Sequence, residues 1–235
     1  SRYDTNGDIS DQSNIFFIYH YPKPDDISQD QRDYIQSVIF EFESVLLSGN
    51  NEELLNLIDL QSFIDFFIIN ELSKNPDGYR LSTFLNKDFN GKLKMGPIWD
   101  FNLAFANVDY CDGANPVGWI YNFNSICPGD IWQVPFWWEV LMQKEVFKTA
   151  LKNRWFSLRS SSLSNSTILN TIDSYTENLN SNNITNQNFY VWPVLGQYIW
   201  PNFFVGSTHE EEIEFLKNWI DDRLDWMDME INSLN

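Results

Sequence analysis

A chain of 235 residues and 27.7 kDa is long enough to bury a core without metals or staples, so size alone excludes little. Thirty-three acidic against 15 basic residues leave a net charge of -18, which repels phosphate backbones and anionic lipid and excludes nucleic acid as a partner. With 43% apolar and 17% aromatic residues the composition also excludes disorder and points to a dense aromatic core.

In chain order, a polar entry over residues 3–14 leads to a strand-like run at 15–19, which Pro22 and Pro24 end because proline cannot donate to a sheet ladder. Ser28 with Gln31 forms a capping box, and Tyr34, Ile35, Val38, Ile39, Phe42, Val45 and Leu46 make one apolar helical stripe up to Gly49. Asp59 caps a second helix that carries Phe63, Phe66, Phe67 and Ile69 and ends near Ser73, since Pro76 forbids continuation. Its apolar run Phe66-Phe67-Ile68-Ile69 is far shorter than the roughly 20 residues that span a bilayer, so no membrane insertion is expected.

Leu81, Thr83 and Leu85 alternate with their neighbours, Asn90-Gly91 supplies a turn, and Leu93, Met95 and Ile98 continue the pattern, which predicts a β-hairpin. Helices follow over 135–143 and 145–159, one solvated helix lies within the Ser- and Asn-rich stretch 160–188, and 189–204 reads as an aromatic loop. The last helix opens on Ser207 and Glu210 as a capping box. The expected fold class is α+β, mainly α, in one domain over residues 1–235. Cys111 and Cys127, 16 residues apart in a Gly-, Asn- and Pro-containing loop, are too few for a four-ligand zinc site. A disulfide, and with it an oxidising, extracytoplasmic compartment, is favoured over two unpaired thiols.

Several chemistries fail on inventory. His20 and His209 are the only imidazoles, and neither sits in a ligand-spaced cluster or near a nucleophile motif. No glycine-rich phosphate cradle is present. Carboxylates remain. A hairpin with its tip near Asn90 places residues 77–79 opposite 100–102, so that Asp77 and Asp100 are expected to converge at its open end, where they could hold a hard cation or divide into base and metal ligand. From spacing alone the ordinary structural roles are favoured: a Pro-Asp-Gly turn former for Asp77, a helix cap or strand terminator for Asp100.

The segments Asn70-Glu71-Leu72-Ser73-Lys74-Asn75-Pro76-Asp77-Gly78-Tyr79-Arg80 and Gly96-Pro97-Ile98-Trp99-Asp100-Phe101-Asn102, with Pro135-Phe136-Trp137-Trp138 and Trp200-Pro201-Asn202-Phe203-Phe204, resemble the CotH family of spore-coat and cell-surface protein kinases over essentially the whole chain. That resemblance implies an atypical protein-kinase-like C-terminal lobe in which a catalytic loop, a hairpin and a metal-binding loop follow one another. By position, Asp77 would accept the proton of a Ser or Thr hydroxyl on a surface or coat protein, and Asp100 would hold the Mg²⁺ that accompanies ATP.

Departures from ordinary kinases are informative. Ser82 stands where they carry a second metal-binding Asn, so Asn102 is the candidate substitute donor, and the Asn75-Pro76-Asp77 run replaces a His-Arg-Asp. Many relatives carry Asp at the place of Asn102, which leaves a pseudokinase scaffold as one alternative. Another is a non-catalytic cell-surface module that binds carbohydrate or protein through the aromatic loops. Arg80 either positions a phosphate or pairs with a carboxylate, with structural pairing favoured. Asp109 and Asp112, flanking Cys111, read more simply as loop surface than as a calcium site. The family's lysine-bearing small lobe lies upstream of the matching region. The 235 residues alone are therefore expected to bind ATP poorly.

Overall fold

The computed structural model describes residues 2–3 and 15–234; most of the polar entry, residues 4–14, lies outside them. The described residues are mainly helical, and the chain divides into two compact units. The first comprises Ser1–Phe66, Asp77–Trp99 and Tyr121–Phe147, and the second Phe67–Pro76, Asp100–Ile120 and Lys148–Asn235.

In the first unit, β1 (Arg2–Tyr3) pairs in parallel with β2 (Phe16–Phe17), a strand of two residues where five were expected. Helix α1 (Gln29–Ser48) starts at the Ser28/Gln31 capping box and ends on Gly49, whose φ of 82° suits a residue without a Cβ. Asn50 accepts from the amide of Glu53 and starts the short α2 (Asn51–Leu57), for which the sequence reading made no provision. Asp59 caps α3 (Leu60–Ser73) through the Ser62 amide. The stripe residues Ile39, Phe42 and Leu46 of α1 meet Phe63 of α3 and Trp137 of α5 (Trp137–Leu141) in a ring cluster: Phe42 lies 5.2 Å edge-on to Trp137 and 5.8 Å from Phe63. Phe66 stacks on Trp138 at 5.8 Å, and Tyr79 packs 4.7 Å from the same ring. Burying such side chains contributes roughly 1.5–3 kcal/mol each, and it is this cluster that fixes the segment around Tyr79.

The hairpin exists but is short. β3 (Leu85–Asn86) pairs antiparallel with β4 (Lys94–Met95), and the ladder stops there. Two local causes end it. The amides of Arg80, Leu81 and Ser82 all donate to the carbonyl of Asp77 and so are withdrawn from the sheet, and Pro97 has no N–H to offer on the other side. Asp77 and Asp100 therefore lie beyond the strands and are not carried on them. The cysteine segment holds a 3₁₀ turn (Ile120–Asn122) and α4 (Phe123–Ile126).

The second unit is built on α6 (Glu145–Arg159), α7 (Asn165–Ser181), α8 (Ile184–Val191) and α9 (His209–Ser233). Leu151, Trp155, Leu224, Met227 and Ile231 are buried, and Trp155 donates its indole N–H to Asp228 at 2.7 Å, where Arg159 also binds. α8 takes residues 189–191 out of the expected aromatic loop. The start of α9 is a correction: the cap is Thr208, which accepts from the amide of Glu211, while Ser207 donates its own amide to the Glu211 carboxylate. The cap is thus shifted by one residue, and the Glu211 side chain reaches back to the residue before it. The three glutamates in the first turn suit the positive end of the helix dipole.

Both cysteines, Cys111 and Cys127, are disulfide-bonded. Closing a 16-residue separation is worth about 3 kcal/mol in the chain-entropy account. Reduction with a phosphine is expected to lower the thermal midpoint by an amount that reflects this, and an unshifted midpoint in the reduced protein would contradict it. No described helix is long and apolar enough to cross a membrane.

Candidate active site

Asp77 opens a tight turn immediately after Pro76. Its carbonyl accepts the amides of Leu81 at 3.0 Å and Ser82 at 2.9 Å, and the Thr83 hydroxyl donates to the carbonyl of Gly78 at 2.7 Å. Tyr79, buried against Phe66 and Trp138, pins the turn to the core. Arg80 then folds back: one guanidinium nitrogen meets the Asp77 carboxylate at 2.8 Å, and the other reaches Asp130 at 3.1 Å and the carbonyl of Trp132 at 3.2 Å. Its guanidinium plane sits 4.0 Å over the Phe123 ring. This cation, shared by two carboxylates and a ring, orients the Asp77 carboxylate. The Asp77 side chain keeps 21% of its surface in solvent. Asp130 and Phe123 were not foreseen; they lie 50 and 43 positions from Arg80, and no spacing rule connects them.

In the second unit, Asp100 is exposed and adopts a φ of 58°, in the left-handed region that Asp tolerates. Its carbonyl accepts from the side-chain amide of Asn75 at 3.5 Å, so the structure brings Asn75 and Asp100 together within this unit. Asn102 is also exposed, with its carbonyl tied to the side chain of Asn107 at 2.8 Å. Three residues on, Phe105 and Ala106 both have positive φ, 55° and 63°, and the amide of Phe105 donates to Ser73 at the end of α3 at 2.7 Å. For a bulky residue that conformation costs about 1–3 kcal/mol. The bond to Ser73 and the edge-on packing of Phe105 against Trp219 hold it there. Asp77 belongs to one compact unit and Asp100 to the other.

A buried charge knot supports the Asn75 segment. Lys74, with no exposed surface, donates to the carbonyls of Asn115 at 2.8 Å and Val117 at 2.7 Å and to the Asp112 carboxylate at 3.1 Å. Arg223 of α9 takes the alternate carbonyls, Pro116 and Gly118, each at 2.8 Å, along with the carbonyl of Glu71. The fully buried Glu71 carboxylate meets Arg223 at 3.2 Å and accepts the amide of Ile120 at 2.8 Å. Four consecutive carbonyls, 115 to 118, are thus shared between two cations. Asp112 serves here as a counter-charge, while Asp109 accepts from the Tyr198 hydroxyl at 2.5 Å.

Burial pushes the Lys74 ammonium below its ordinary value of 10.5, and the Arg223 charge adds to this, against the opposing pull of Asp112 and Glu71. Between that lowered value and 10.5 the unfolded chain holds a proton the folded chain has released, so stability attributable to Lys74 rises with pH through that window. Denaturation of the native protein and Lys74→Met, compared at increasing pH up to 10.5, is expected to show the native protein gaining on the variant. A pH-independent difference would contradict the assignment.

Among the described residues no group of three or more His, Cys, Asp and Glu side chains is placed to hold a metal ion. What the exposed Asp100 loop offers is one carboxylate and one amide oxygen, Asp100 and Asn102, a hard-oxygen pair. That fits Mg²⁺, which keeps waters and takes much of its shell from phosphate oxygens, better than a cation that needs an all-protein cage.

No curated protein and no solved structure matches this chain. The model of one family, described as CotH kinase protein, matches residues 5–227. That span takes in the Asp77 turn, the Asp100 loop and most of α9, and the chain therefore belongs to the CotH kinase family.

Proposed function

We propose that this protein is the catalytic lobe of a kinase that works outside the cytoplasm and transfers the γ-phosphoryl group of ATP to Ser or Thr hydroxyls of surface or coat proteins. The observation that carries the reading is the seating of Asp77: a carboxylate at the end of a buried segment, one oxygen fixed by an immobilised arginine, with a fifth of the side chain still open to solvent. A general base needs that combination of fixed orientation and access.

In this reading the acceptor hydroxyl oxygen attacks the γ-phosphorus. Asp77 orients that hydroxyl and takes its proton, and the bond to the β,γ-bridging oxygen breaks to release ADP. Arg80 orients the Asp77 carboxylate, and Asp130 keeps Arg80 in place. Asp100 and Asn102 would hold Mg²⁺, which neutralises phosphate charge that a chain of net charge -18 would otherwise repel. Ser82 is buried, and its amide is bonded to the carbonyl of Asp77. Its role is to shape the turn, which leaves Asn102 as the second oxygen donor. Asn75 donates its side-chain amide to the carbonyl of Asp100 and so steadies the Asp100 loop. The test is incubation of the intact protein with γ-labelled ATP and Mg²⁺ in the presence of a Ser/Thr-rich acceptor. Phosphoserine or phosphothreonine with stoichiometric ADP is the expected result; no transfer to the acceptor or to the protein itself, with Mg²⁺ or Mn²⁺, would contradict it.

A further inference from the structure

Residues 178–208 contain no Asp, Glu, Lys or Arg, a stretch of 31 in which the chain's 20% average would place about six. The same stretch carries seven aromatic residues and nine Asn or Gln, and its rings are not buried: Tyr190 is 89% exposed, Trp192 65%, Tyr198 55% and Trp200 70%. Scattered single apolar residues on a surface mean little, but a concentration of this kind marks a binding surface.

Two of these exposed rings, Tyr198 and Trp200, are also held in place. Trp200 stacks against Tyr110 with centroids 6.2 Å apart and planes 14° from parallel. The Tyr198 hydroxyl donates to Asp109 at 2.5 Å, a bond that pushes its pKa above the ordinary value of 10.0. The loop base is closed by the amide of Gly196 donating to Gly206 at 2.8 Å, and Phe204 lies flat on Phe215 of α9 at 4.3 Å. In the same stretch, the side-chain amides of Gln187, Asn188 and Asn202 have no hydrogen-bond partner among the described residues. Rigid rings lose little entropy on binding, and an amide both donates and accepts.

We infer that this surface binds an uncharged polysaccharide, with Trp192, Tyr198 and Trp200 stacking on sugar faces and the neighbouring amides pairing with hydroxyls. The electrostatics choose the ligand. On a protein this acidic an anionic polymer is repelled, and a cationic partner would be drawn to the carboxylates elsewhere, whereas a segment with no charge of its own, its neighbouring Asp109 carboxylate already bonded to Tyr198, loses little to an uncharged chain. The pyranose C–H face complements the electron-rich face of an aromatic ring, and hydroxyls alternate around its rim. This activity is independent of phosphoryl transfer and would anchor the protein beside its acceptors.

Calorimetric titration of the intact protein with cellohexaose, laminarihexaose and chitohexaose tests it. At least one is expected to bind with a Kd below about 1 mM. Trp192→Ala and Trp200→Ala should each weaken binding about tenfold, and polygalacturonate should not bind. Because both side chains are exposed, thermal midpoints should not move, which separates lost binding from lost folding. Failure of all three oligosaccharides, survival of binding in the double variant, or a dimer in sedimentation that the same substitutions dissolve would each overturn the inference.

Discussion

Replacing Asp77 with Asn is expected to lower the rate of phosphoryl transfer by about 10²- to 10⁴-fold, the range that a positioned general base supplies. The fold should survive. Asparagine leaves an oxygen where the carboxylate met Arg80, and Asp130 still neutralises the guanidinium, so the turn loses a charge but no geometry. Asp130→Asn is the informative companion: it leaves the base itself intact but loosens the arginine that orients it, so its effect on kcat should be smaller than that of Asp77→Asn. Asp100→Asn should act on a different variable, raising the Mg²⁺ concentration needed for half-maximal rate, because it removes a ligand rather than the base. Equal rates for the native protein and Asp77→Asn would remove Asp77 from the chemistry.

Arg223→Met is expected to destabilise the protein by about 3–5 kcal/mol, the usual result of breaking a buried ion pair from one side. Every guanidinium donor is engaged, to the carbonyls of Glu71, Pro116 and Gly118 and to the Glu71 carboxylate, and both Arg223 and Glu71 have no exposed surface. At about 2–4 °C per kcal/mol for a chain of this size, the thermal midpoint should fall by roughly 10 °C. Glu71→Gln removes the charge but retains an acceptor for the Ile120 amide, so it should cost less. The double variant should cost less than the sum of the two, a coupling of about 0.5–3 kcal/mol. A change in midpoint of under 1–2 °C for Arg223→Met would mean that the knot does not bear on stability.

What the sequence made legible were features written in short spacings. The Ser28 and Gln31 box, Gly49 as terminator, the Asp59 cap and the stop before Pro76 all depend on neighbours within four residues, and all appear in the structure. The same kind of signal for α2, Asn50 followed by Glu53, was present but passed over, whereas α8 starts from Asn183 in a left-handed conformation with no side-chain cap, and left no such trace. The hairpin was read too long because alternation at 81–85 says nothing of where the amides of 80–82 go. The hairpin reading brought Asp77 and Asp100 forward, and the family resemblance gave them their expected roles. Their partners were out of reach of either: Arg80 meets Asp130 across 50 positions, and Arg223 meets Glu71 across 152. Those pairings exist only once the aromatic cores have formed around them.

The proton-accepting role of Asp77 and the metal role of Asp100 meet in one measurement: an anomalous difference map of the intact protein with Mn²⁺, a non-hydrolysable ATP analogue and an acceptor peptide. The expected result is a Mn²⁺ peak with an Asp100 carboxylate oxygen among its ligands and the Asp77 carboxylate within about 2.6–3.2 Å of the acceptor hydroxyl. A peak ligated without Asp100, or an acceptor hydroxyl out of reach of Asp77, would contradict it.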